Sequence, residues 1–313
     1  MDSRAWASAS NVSTGRHVKS GCKPPERLRL QLAIAHYYDP AGGGRHGSLS
    51  ADPVPRVSAL RQLVLQLHRL FGQPAGCLNH LKQRLDPVED GGGQLLLHIC
   101  VTGDKHLLEH LEDLHNVGAF QIVHCEPKTP KHLGFACHRV LQKHHAEFTY
   151  SGYLEDDIII TDADFFLKLR QFNRYFGDNY LLQPNRIETT EDLRHLQRFY
   201  IDGDYNPAAT ETYRNSTQHL LCMDHLGEAI QFNQPFNTHS GCFFLNHSQA
   251  NQYFEGEYWQ DEDISFHSPL ESAATLGVMK QFEIMKPALS NGRFLTVEHA
   301  GRNFMGLVAP LRG

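Results

Sequence analysis

Strand-sized apolar segments alternate with segments of helical periodicity through the first 160 residues, and this alternation constrains the fold more than any other feature. Residues 28–38 (LRLQLAIAHYY) read as a buried strand. After a Gly-, Pro- and Ser-rich loop at 39–57, Leu60, Leu63, Val64, Leu67, Leu70 and Phe71 recur at helical spacing, and Gly72 closes the run. Beyond a polar glycine break at 91–93, residues 95–101 form a second apolar strand leading into a helix around 106–115. Residues 120–125 give a third short strand, 133–145 a helix, and 148–160 contain a fourth strand. Such alternation predicts an α/β fold of Rossmann type, a mostly parallel sheet with helices on both faces. Sheets of this kind take their ligands in the crevice beyond the carboxyl ends of the strands.

The second half is less regular. Long polar loops at 188–213 precede a Phe-rich strand at 242–245, helices near 248–254 and 269–276, and a strand at 294–297, with no internal repeat. A formal charge of −6 lacks the clustered Lys/Arg excess of a nucleic-acid binder, so no nucleic-acid partner is expected. No run of 18 apolar residues occurs, so no transmembrane helix is expected either. Seven cysteines, an odd number without a C-x-x-C pair, point to reduced thiols and a cytoplasmic location. Sequons at Asn11, Asn215 and Asn246 would need a secretory route that nothing else supports. Residues 1–26, rich in Ser, Ala and Gly with a basic bias, read as a disordered or targeting tail. Organellar targeting and peripheral membrane contact through that tail stay open. Residues 27–313 are expected to form a single domain, divided into halves at 27–160 and 161–313.

The most informative segment is Glu155-Asp156-Asp157, three consecutive carboxylates set into an apolar strand (YLEDDIII). Their mutual repulsion is costly without a cation or another positive partner. A hard divalent ion would relieve it through oxygen ligands. In a continuous strand Glu155 and Asp157 would face one side and Asp156 the other. The competing reading is a solvated turn where the chain leaves the sheet.

The stretch from 132–139 (HLGFACHR) through 148–157 (FTYSGYLEDD) resembles the nucleotide-binding half of GT-A-fold glycosyltransferases. In that family a strand–helix–strand unit precedes an acidic D-x-D signature that holds Mn²⁺ or Mg²⁺ against the diphosphate of a nucleotide sugar. Here Glu155 replaces the first aspartate. The resemblance therefore implies Asp157 as the principal metal ligand, with Glu155, and brings Asp156 to the sugar or ribose. Residues 237–245 (NTHSGCFFL) are similar to the family's small-residue turn beside the donor, which singles out Gly241. Residues 259–264 (WQDEDI) are similar to its Trp-x-x-Glu-Asp segment, which implies Asp263 as acceptor-side base with Glu262 in reserve. His299, after a late strand, matches a late histidine that several members place on the metal. Together these matches extend over roughly residues 28–305.

Transfer of a sugar requires the leaving diphosphate to be neutralised, here by the ion with Arg139 or Lys131. If configuration inverts, the acceptor hydroxyl must also lose a proton to a carboxylate. The implied partners are a nucleotide-sugar donor and a hydroxyl acceptor, on a glycan or other glycoconjugate. Two rivals share the architecture: a sugar nucleotidyltransferase, for which the glycine run and basic residue at 42–45 after the first strand speak, and a non-catalytic carbohydrate-binding relative of the fold.

Overall fold

The computed structural model describes residues 27–42, 47–73, 75–88, 92–190, 198–203, 208, 210–213, 220–301 and 303–307. The tail at 1–26, the sequons Asn11 and Asn215, and residues 43–45 lie outside these. In chain order the elements that position the site are β1 (Arg29–Ala35), α1 (Val54–Phe71), β2 (Gln94–Val101), β3 (Gln121–His124), α2 (Leu133–Gln142), β4 (Tyr150–Glu155), β5 (Ile158–Ile159), α3 (Phe165–Phe176), β6 (Asn185–Thr189) and β7 (Arg198–Tyr200). They continue with β8 (Cys242–Asn246), α4 (His247–Glu255), α5 (Pro269–Gln281), β9 (Glu283–Pro287) and β10 (Thr296–His299).

The central sheet has the order β8-β4-β1-β2-β3, with β4, β1, β2 and β3 parallel and β8 antiparallel to β4. Alternation along each strand feeds two cores. Leu30, Leu32 and Ile34 of β1 join Leu60, Leu63, Val64 and Leu67 of α1 in one. Ala33 and Ala35 join Leu133, Ala136, Cys137 and Val140 of α2, with Ala273 and Ala274 of α5, in the other. The sheet is thus apolar on both faces and covered by helices on both, as its uninterrupted apolar strands require. The α/β class read from the sequence is the observed one.

Two smaller sheets carry the less regular half. One runs β7-β6-β10-β5. The other contains the hairpin of Leu221–His225 with Glu228–Asn233, then β9, then Tyr180–Leu182. β8 comes from the second half yet lies in the first half's sheet, while β5 of the first half pairs with β10 of the second. The two sequence halves are therefore interleaved.

Three expectations need correction. The acidic strand is not continuous: β4 ends at Glu155, the chain turns at Asp156 and Asp157, and β5 resumes beyond. Like charges in succession are better served by a turn that gathers them around one positive partner than by a strand that spreads them over two buried faces. The polar stretch beginning at 188 is not all loop, because β6 and β7 pair antiparallel across it. The segment at 106–115 is a 3₁₀ turn (Leu108–Leu111) followed by a short helix (Glu112–Asn116).

Candidate functional site

β1 and β4 are neighbours, but β1 continues through α1 to β2 on its other side, so the connections diverge between them. In an open parallel sheet that divergence opens a crevice at the carboxyl ends of the strands. The acidic trio ends β4 at that point. His36 directly follows β1, and its Nδ1 stands 2.6 Å from Asp156 Oδ2. The Leu107 amide donates to His36 Nε2 at 3.1 Å, so Nδ1 carries the proton given to Asp156. From the first turn of α1, Arg56 reaches the same acids. Its Nη2 pairs with Asp156 Oδ1, and its Nη1 lies 3.1 Å from Asp157 Oδ2. Burial opposes the guanidinium charge, but Asp156 and Asp157 outweigh it and hold Arg56 protonated above its ordinary range. Asp156 and Asp157 therefore share one cation rather than facing opposite sides.

Glu155 is 7% exposed. Burial first, and the Asp157 charge second, push its carboxyl up to about 8, so it carries its proton at neutral pH. Antiparallel pairing of β8 with β4 sets the small-residue turn against it, and the Glu155 amide donates to the Gly241 carbonyl at 2.8 Å. Gly241 has φ +64°, and a Cβ there would stand 2.8 Å from Ile158 and 3.1 Å from Glu155 Oε2. Only glycine suits such a position. His239 Nε2 approaches Glu155 Oε1 to 3.7 Å, while its Nδ1 is fixed by Thr275 at 2.9 Å. Burial, then Arg186 and Lys286, hold His239 well below the usual imidazole range, so it is neutral.

Behind this layer Asp202 accepts from Arg186 Nε at 2.8 Å and from Lys286 Nζ at 2.8 Å. Burial opposes the Asp202 charge, but these two cations outweigh it and keep the carboxyl below its ordinary range. His299, at the end of β10, places Nε2 at 3.8 Å from Asp157 Oδ2 and Nδ1 at 3.1 Å from Glu188 Oε1. Glu188 also accepts from the amides of Phe304 and Met305.

A cavity of about 420 Å³ adjoins this layer, lined by Arg186, Tyr200, Asn237, His239, His267, Glu271 and Phe304 among others. Glu155 reaches it through His239. Another cavity of equal volume, lined by Arg29, His68, Gly93 and Gln94, opens at the amino ends of β1 and β2, away from the crevice.

The structure brings together Glu155, Asp156, Asp157, Gly241 and His299. It does not bring the remaining sequence candidates to them. Lys131 is exposed in a 3₁₀ turn. Arg139 donates to Glu262 Oε1 at 2.7 Å, and Lys128 pairs with the same carboxylate. Asp263 accepts from Lys280 Nζ at 2.7 Å and from the Ser265 amide at 2.9 Å. The Lys280 contact draws its carboxyl down to about 2, which makes it a weak base as placed. Arg139 and Glu262 are thus bound to each other, not to the trio.

The proposed metal ligands Asp157, Glu155 and His299 do not form an ion cage as arranged. Among the described residues no group of three His, Cys, Asp or Glu side chains could hold a metal ion. The Asp157 oxygen nearest His299 is the one that Arg56 takes. Sequence reasoning missed both His36 and Arg56. His36 was hidden inside the segment read as strand 28–38, whose last three residues lie beyond β1.

No protein-family model and no curated protein matches this sequence. Several solved structures are similar in chain path. GalNAc-T7 crystallised with UDP, GalNAc and Mn²⁺ superposes with a TM-score of 0.44 at 10% identity over 88% of this chain. TarS of S. aureus in complex with UDP-GlcNAc gives 0.40 at 9% identity over 90% of this chain. A CMP:2-keto-3-deoxy-manno-octonic acid synthetase complexed with CTP gives 0.34 at 12% identity, covering 87% of this chain and 90% of the synthetase. The chain spans 44% of GalNAc-T7 and 62% of the TarS chain. No helix among the described residues is long and apolar enough to cross a membrane.

Proposed function

We propose that this chain is a glycosyltransferase that takes a sugar from a nucleotide-diphosphate donor and passes it to an acceptor hydroxyl on a glycan or other glycoconjugate. One observation carries the reading. Three segments far apart in sequence, at 155–157, 237–241 and 299, meet at the carboxyl ends of a parallel sheet where its connections diverge, beside a 420 Å³ cavity. Those are the segments whose motifs resemble the family.

The cavity lining suits a sugar. Tyr200, Phe199 and Phe304 give apolar ring surface, while Asn237, His267 and Glu271 offer polar contacts. Arg186 is held by Asp202 and contributes positive charge to the lining. In the family the ion supplies neutralisation of the leaving diphosphate, whereas here Arg56 holds the two aspartates. Acceptor deprotonation needs a carboxylate with its proton off and its oxygens available. Glu271 lines the cavity at the start of α5, whereas Asp263 is tied to Lys280 outside the lining. Glu271→Gln is therefore expected to lose at least ~10²-fold in transfer while keeping donor binding. Asp263→Asn should change transfer by less than ~3-fold, and the reverse ranking in rate measurements would restore Asp263 as base.

Calorimetric titration with nucleoside diphosphates and their sugar conjugates tests the reading. Saturable binding that is tighter for one sugar conjugate than for the bare diphosphate is expected. Absence of binding across uridine, guanosine and cytidine donors would overturn it.

A further inference from the structure

Three adjacent carboxylates cannot be folded into a sheet end without compensating charge, and the compensation is visible. The Arg56 side chain is 10% exposed, and its two terminal nitrogens bridge Asp156 and Asp157. The second Asp156 oxygen is fixed by His36, itself fixed by the Leu107 amide. This is a planar fork held by two carboxylates, the geometry for which arginine is suited and lysine is not.

We infer that Arg56 is the resident counter-cation of the acidic trio: its guanidinium stands in the place a divalent ion would take, so the trio binds no such ion while the arginine is there. Two features support this. Arg56 occupies the Asp157 oxygen that faces His299, the position a metal shared by those two residues would need. Asp156, one of the two partners of Arg56, is itself pinned by His36 just beyond β1, so the arrangement is braced from there as well as from α1.

The inference concerns the same crevice as the proposed transfer, but it is tested with metal alone and without any sugar nucleotide, so failure of one is distinguishable from failure of the other. Electron paramagnetic resonance of Mn²⁺ reports the free ion directly. The wild-type chain should leave the Mn²⁺ signal unchanged up to ~1 mM, the weak end of protein sites for hard divalent cations. Arg56→Met should take up one Mn²⁺ at least ~10-fold more tightly than wild type, and adding Asp157→Asn should remove that uptake. Saturable Mn²⁺ uptake by the wild type that is lost in Asp157→Asn would overturn the inference. So would a folded Arg56→Met that takes up none. Should Arg56→Met not fold, thermal unfolding of the wild type decides: an unchanged midpoint between chelator and Mn²⁺ is expected, and a Mn²⁺-dependent rise abolished by Asp157→Asn would contradict it.

Discussion

His138 lies inside α2 against Phe135, Tyr153, Phe243 and Tyr253, and its burial pushes the imidazole down to about 4. In the unfolded chain the same group titrates near 6.5. Between these values the unfolded state binds more protons, so the stability His138 contributes is complete above pH 6.5 and is lost as pH falls through 4. The shift corresponds to about 3 kcal/mol. His138→Phe, which keeps the ring contacts, should move the midpoint of acid unfolding to lower pH, and an unchanged acid midpoint by circular dichroism would contradict this. Gly241 makes a second single-residue prediction. Gly241→Ala forces a Cβ into Ile158 at a positive φ and should cost about 1–3 kcal/mol in urea unfolding. A loss within error of zero would mean the turn relaxes freely. At this scale the sequence told which residues were chemically unusual but not which atoms they meet. Arg139 and Glu262 were both visible as charged candidates, yet only the structure shows them neutralising each other. Arg56 was hidden because its partners lie about a hundred residues away, beyond any local spacing rule.

Elements were legible where a hydrophobic period persisted. β1, α1, β2 and α2 were all read with the correct type, because each buries several consecutive turns or alternations of apolar residues against the sheet. The hairpin of Ala75–Asn79 with Arg84–Val88 left no such trace. It is mostly exposed, with Gly76 and Pro87 inside its strands, so no alternating apolar face exists to be seen. β9 was missed for another reason: it is short, and its Lys286 is buried against Asp202 instead of facing solvent. That ion cluster links β6, which carries Arg186, to β9, which carries Lys286. Asp202→Asn would leave both cations buried without a carboxylate, and about 3–5 kcal/mol of stability should be lost in chemical denaturation. A loss below ~1 kcal/mol would show that water or another acid replaces Asp202. The carboxylates of 155–157 illustrate the limit of pattern reading. Period-2 alternation assumed that the strand continued, whereas charge gathering ended it at Glu155.

Across the whole molecule, the interleaving of the halves does the positioning. β8 and β10, from the second half, bring Gly241 and His299 to the acids that β4 presents from the first. The parallel sheet was foreseeable from the sequence, and the acidic trio lies at its carboxyl end. The cavity was not, because its lining comes from β7, the turn before β8, the start of α5 and the segment around Phe304, none of which shares a sequence pattern. The measurement that tests the account most directly is product analysis after incubating the chain with uridine, guanosine and cytidine diphospho- or monophospho-sugars, water standing in for the acceptor. The account predicts release of free sugar and the corresponding nucleotide from one donor, slowed in a folded Glu271→Gln variant. Failure to consume any donor, or formation of pyrophosphate from a nucleoside triphosphate and a sugar phosphate instead, would contradict it.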